Sequence, residues 1–304
     1  MTASWDHEAL WLKAKLFLNR AMDTEPARSF EEQALWASLA LELLAKSALA
    51  RVSPVLIAVP TEEGNSLLVA SGLVQGDVRF KSVQAKTVYA RCSKAFKPLS
   101  EKEAGAITES RNEYLHGAAP AFTHMPPEAW WPRFWAQAQI LVNACDSELE
   151  DLVGGDRVSV VEAHLTQNKQ NIAHRVEMLI ERARQRLAQF ESGQMRAKEA
   201  QEWARPVDLT AGLKHSAEEP CPACGALGLL EGEDIDEATP HYEQVAEDDY
   251  DFWVEVTVGS SYFGCQKCRL VLDSYELVVA AELPDTFSAI GEPDDYREDE
   301  YGND

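Results

Sequence analysis

The chain has 304 residues, 45% of them hydrophobic, and a formal net charge of −23. This composition excludes a wholly disordered chain, and the length allows two domains. So acidic a balance argues against broad electrostatic attraction to nucleic acid, while leaving room for a local basic site.

The opening "MTASWDHEALWLKAKLFLNR" lacks a basic segment followed by a pure apolar run, so no secretory leader is expected. Nor does any apolar run reach 18 residues, so no membrane partner is expected. Trp5, Leu10, Leu12, Leu16 and Phe17 recur at roughly helical spacing. Residues 28 to 52 predict a stronger helix, opened by Ser29 with Glu32 in a capping-box pattern and closed by Pro54. "EEGNSLLVASGL" reads as a short helix, and "QAKTVYARCSKAF" as another that stops before Pro98. Ser100 and Glu103 repeat the capping pattern and open a helix running to His116, where Gly117 offers a left-handed cap.

"PPEAWWPRFWAQAQILVNACDSELEDLVGG" begins with proline and ends in Gly-Gly, as a long helix does. Its Trp130, Trp131, Phe134 and Trp135 are expected to pack a core rather than bind a base. A second helical run covers about 157 to 204. Leu165, Ile172 and Leu179 recur there every seven residues, which suits either a paired helix or one packed on the first domain. From about 215, "DFWVEVTV", "SYFGC" and "RLVLDSYELVVAAEL" are β-rich. Residues 286 to 304 are polar and acidic and read as a disordered tail. The predicted fold is mostly α: a helical domain over 1–154, a long helix or linker over 155–205, a β-rich domain over 206–285, and the tail.

Six cysteines are present. Cys92 and Cys145 stand alone in helical sequence, while "CPACG" and "CQKC" supply Cys221, Cys224, Cys265 and Cys268. Zinc takes four thiolates in a tetrahedron, and a C-x-x-C turn places two sulfurs on one side of the ion. Two such turns around a β segment describe a zinc ribbon, with the acidic insert 231 to 251 lengthening the separation. A redox pair fits poorly, because two pairs occur together with no βαβ pattern around them. Four thiolates fill the site, so His215 and His241 are not needed and the zinc is structural. With no leader expected, the cysteines suggest a reducing, cytoplasmic compartment.

The stretch "TESRNEYLHGAAP" poses the functional question. Arg111, Asn112 and His116 end one helix, and Arg111 and His116 lie about 140° apart around a straight helix. A histidine near neutrality in pKa can take a proton from a ribose 2′-hydroxyl, and a guanidinium can brace the phosphate, with no metal for catalysis. The same residues also suit a plain helix end, with Arg111 paired to Glu103 or Glu109. Glu42 and Lys46 read as an i,i+4 pair that is either incidental or a support for the cleft.

The Arg-Asn-x-x-x-His pattern, with the earlier "FEEQALWASLALELLAKSALARV", resembles the HEPN family over roughly residues 5 to 152. The resemblance implies a HEPN-like helical bundle and a homodimer. It implies a metal-independent endoribonuclease with Arg111, Asn112 and His116 as catalytic residues. It also implies an RNA substrate such as tRNA, and a toxin or anti-phage role with an antitoxin or defence-system partner. Family members controlled by adenylylation carry a Tyr two residues past the His, where this chain has Ala118. The other reading is a non-catalytic dimeric scaffold whose zinc ribbon binds a protein or nucleic acid.

Overall fold

The computed structural model describes residues 5–23, 28–75, 80–118, 122, 125–246 and 249–291. The chain divides into two compact units, residues 1–169 and 170–304. The first is helical. It comprises α1 (His7–Met22), α2 (Phe30–Val52), a 3-10 turn (Pro54–Ile57), α3 (Asn65–Ala70), α4 (Ala85–Ala95), α5 (Glu101–His116), α6 (Pro127–Ala144) and α7 (Leu149–Val153). The long α8 (Gly155–Glu191) contains the boundary between the units, so 155–205 is not a segment of its own.

Helix α2 is the hub of this unit and packs against α1, α4, α5 and α6. Its sequence explains why: Ala34, Ala37, Ala40, Leu41, Leu44, Ala45, Ala48 and Leu49 are buried, so small side chains alternate with leucines on nearly every face. A helix apolar all round is one surrounded by neighbours. The serine half of both predicted capping boxes forms, with Ser29 accepting from the Glu32 amide and Ser100 from the Glu103 amide. On α6, Trp130, Phe134 and Trp135 are buried, Trp130 stacked on Phe134 and Trp135 edge-on to it, and Trp131 is half-buried against the same core, so the aromatic front is core, as expected.

The run predicted over 157 to 204 is broken. α8 stops at Glu191, Gly193 takes a left-handed φ of 69°, and a short α9 (Ala197–Trp203) follows. The heptad positions do not form one seam. Leu165 packs on the core of the first unit, while Ile172 and Leu179 pack on that of the second.

The second unit holds two antiparallel sheets. One is ordered β1 (His215–Pro220), β2 (Leu227–Gly232), β5 (Tyr262–Gly264), β6 (Val271–Leu272). The other is ordered β3 (Ile235–Ala246), β4 (Asp249–Gly259), β7 (Thr286–Gly291). The acidic insert is therefore the β3–β4 hairpin, and it builds the second sheet. Val254, Val256 and Val258 alternate inward along β4. Two expectations need correction. Residues 286–291, assigned above to the tail, form β7 against β4, with Val256 opposite Ala289; residues 292–304 lie outside the described residues. "SYELVVA" is not strand but α10 (Tyr275–Ala280), because burying the adjacent Leu277 and Val278 together suits one helix face and not a strand.

Glu231 on β2 is only 2% exposed. Its carboxylate accepts the backbone amides of Ala211, Gly212 and Leu213 at 2.9, 2.9 and 3.1 Å. It ties the entering chain to the first sheet. Glu231→Ala leaves three amides without that acceptor, so a loss of about 2–4 kcal/mol is expected in denaturant unfolding of the second unit. Glu231→Gln, which keeps one acceptor oxygen, should lose less.

Candidate functional site

Helices α2, α4 and α5 border an open cleft of about 1150 Å³ in the first unit. Glu42, Tyr89, Arg111, Asn112 and His116 all line it. α5 continues unbroken to His116, and Gly117 is extended at φ −84° rather than left-handed. The glycine is needed for a different reason: a Cβ there would meet the Glu113 carbonyl oxygen at 2.6 Å.

Arg111 does not pair with Glu103 or Glu109. Its Nη1 donates to Glu42 at 2.6 Å, across to α2. Its Nε and Nη2 both donate to Asn112 Oδ1, at 3.2 and 3.0 Å. Glu103 turns instead to Arg133 at 3.7 Å. Lys46 completes the group, 2.8 Å from Glu42. Glu42 is thus more than half of an i,i+4 pair; it anchors Arg111, and Arg111 orients Asn112. Asn112 and His116 are four residues apart and share one face of α5. Both are exposed, as are Tyr114 and Leu115 on the same turn. Arg111 and His116, about 140° apart around α5, nonetheless line the same cleft. Two of the five N–H donors of Arg111 stay uncommitted to these partners.

Burial pushes the Glu42 carboxyl up, but hydrogen bonds and charge from Lys46 and Arg111 outweigh it and hold it below the ordinary carboxylate range. A carboxylate lowered in the folded state contributes stability that is complete above its unfolded-state pKa. That stability is lost as pH falls through the lower folded-state value. Glu42→Gln should therefore cost about 2 kcal/mol at pH 7, since the side chains of the triad are only 12–19% exposed. Urea titrations of both proteins should converge as pH drops through and below the carboxylate range; a constant difference down to acid pH would refute the assignment. Beneath the cleft, Tyr89 is fully buried, and burial raises its pKa well above the usual phenol value although Thr108 pulls it down.

In the second unit, Cys221, Cys224, Cys265 and Cys268 come together with all four sulfurs within 4.8 Å of one another. Cys221 and Cys268 are 3.5 Å apart, Cys224 and Cys265 3.7 Å. A tetrahedron with metal–sulfur bonds of about 2.3 Å has edges of about 3.8 Å, so the group could bind a metal ion. Chemistry agrees. The hydrogen bond shared with Cys268 lowers the Cys221 thiol, while Cys268 itself and, through burial, Cys265 are pushed up. Sulfurs this close cannot all ionise unless a cation joins them.

The two knuckles share one backbone design. The amides of Gly225 and Arg269 return to the carbonyls of Cys221 and Cys265 at 2.9 and 2.8 Å. Both residues are left-handed, at φ 70° and 59°. Glycine takes that conformation freely, whereas Arg269 needs compensation. Its Nη2 donates to the carbonyls of Glu202, Trp203 and Arg205, and its guanidinium lies 4.6 Å from the Trp203 ring centre. Arg184 holds the first knuckle through the carbonyls of Pro222 and Ala223. Neither clamp is visible as a local pattern. His215 and His241 are not in the cluster; His241 stacks on Trp253 and faces Glu255 at 3.3 Å. Cys92 is buried, its thiol pushed up to about 12 by burial and then by Cys145, which marks it as inert packing.

Among the described residues, no helix is long and apolar enough to cross a membrane. No protein-family model matches the chain, and no curated protein or solved structure does either.

Proposed function

We propose that the first unit supplies half of a metal-independent endoribonuclease site of HEPN type, in a toxin or anti-phage effector. The observation that carries this reading is the shared cleft: Arg111, Asn112 and His116 line one opening, with Arg111 buttressed from α2 by Glu42. His116 in its neutral form takes the proton of a ribose 2′-hydroxyl as that oxygen attacks the adjacent phosphorus. The P–O5′ bond breaks and an imidazolium protonates the leaving oxygen, giving 2′,3′-cyclic phosphate and 5′-hydroxyl ends. The uncommitted donors of Arg111 brace the phosphorane oxygens. A second copy completes the cleft, and the exposed Tyr114 and Leu115 offer apolar surface for that contact.

In the second unit, Cys221, Cys224, Cys265 and Cys268 hold a structural Zn²⁺, which cross-links the two knuckles and has no position open to water. Purified protein is expected to carry about one zinc per chain.

Incubation with total tRNA and a generic single-stranded RNA tests the enzyme reading. EDTA removes free Mg²⁺, and the metal content of the protein is checked before and after. Cleavage with cyclic-phosphate ends is expected; 3′-hydroxyl ends, or no cleavage by folded dimer, would reject it. One observation favours a second reading, a non-catalytic scaffold. Three donors of Arg111 are already committed to Glu42 and Asn112, as a purely structural arginine's would be. Intact RNA with a retained dimer would support that reading.

A further inference from the structure

The second unit contains a basic cleft beside the cysteine cluster, with Cys268 on its wall and Arg269 shared with the second knuckle. It has a volume of about 330 Å³ and is lined by Arg182, Arg186, Trp203 and Arg269 over an apolar floor that includes Leu179 and Leu270. Arg182 and Arg186 are four residues apart on α8 and share a face, where like charges repel. Neither is paired with a carboxylate among the described residues, and Arg182 has no hydrogen-bond acceptor there. The Arg186 guanidinium lies 5.6 Å from the Trp203 ring centre and that of Arg269 4.6 Å from the same ring. Arg269 commits Nη2 to backbone carbonyls, leaving Nε and Nη1 without an acceptor among the described residues.

Three guanidinium groups thus line one cleft, two of them against the same indole, in a chain of net charge −23. The indole face offsets part of the repulsion and holds two guanidinium planes in place. What remains open is a set of planar N–H forks, which match a tetrahedral oxyanion presenting several oxygens. A single carboxylate would satisfy one fork.

We infer that this cleft binds phosphate groups. The shared chemistry has two sources, the phosphodiesters of a single RNA strand and small phosphate esters. The inference is independent of whether the Arg111 cleft cleaves RNA.

The test uses the full-length, metal-containing chain carrying His116→Ala, so that any RNA stays intact. A fluorescein-labelled 12-nucleotide single strand is titrated by anisotropy between 50 and 200 mM salt, and inorganic phosphate and AMP are titrated by calorimetry. Arg182→Ala/Arg186→Ala should weaken binding of the recognised probe at least tenfold. For RNA it should also reduce the log–log salt slope by about 1.4, at about 0.7 per strand phosphate. RNA binding that millimolar AMP does not displace assigns the strand; AMP or phosphate binding with RNA no tighter assigns the small ester. No probe bound by the parent protein, or unchanged affinity and slope in the double variant, overturns the inference. Circular dichroism and metal content check the fold. Should the double variant fail to fold, exposed Arg182→Ala decides alone, with a threefold loss expected and no change counting against the site.

Discussion

Cys265→Ser is expected to release the metal and unfold the second unit while the first stays folded. A structural zinc contributes on the order of 10–16 kcal/mol of apparent binding energy at neutral pH, comparable to or larger than the whole stability of an ordinary domain. Cys265 is fully buried, and its amide and carbonyl close the second knuckle through Leu270 and Arg269. The two units have separate hydrophobic cores, one built on α2 and α6, the other on β4, β5 and the later part of α8. Metal per chain should therefore fall from about one to near zero. Hydrogen exchange should lose protection over residues 215–291 and keep it over α2 and α6. Retained metal and protection in this variant would remove Cys265 from the ligand set. Cys92→Ser serves as the contrast, with no change in metal content.

His116→Ala should reduce RNA cleavage by about 10²–10⁴-fold, the range attributed to a positioned general acid or base. The side chain is exposed at the end of α5, so thermal unfolding should shift by no more than about 0.5 kcal/mol. Separation of activity from stability is what makes this residue the informative one. Arg111→Ala cannot separate them, because it also strips the nearly buried Glu42 of one of its two cations. Undiminished cleavage by purified His116→Ala protein would place the activity elsewhere.

The residues at the end of α5 were legible because each signal is local. Serine at the N-terminus, apolar spacing along the helix and a terminal Gly specify where α5 starts and stops. The left-handed cap expected at Gly117 failed because glycine serves two purposes, positive φ and close approach, and sequence does not distinguish them. "SYELVVA" failed for a related reason. Adjacent Leu and Val suit strand by propensity, and only the core they enter makes them a helix. The interruption of α8 was written in Ser192–Gly193, but a single glycine inside a helical pattern reads as tolerated as easily as terminal.

By itself the sequence determined the four-cysteine group, the helical first unit and the β-rich second one. C-x-x-C spacing and hydrophobic period act over a few residues, where geometry follows directly from chain connectivity. Only the tertiary structure decided the partner of Arg111, which is Glu42, 69 residues away. It alone brought Arg182, Arg186 and Arg269 to one cleft, and it alone turned an acidic insert into the hairpin of a second sheet. Such pairings depend on how helices and strands pack, and packing is set by the whole buried surface rather than by any short pattern of residues.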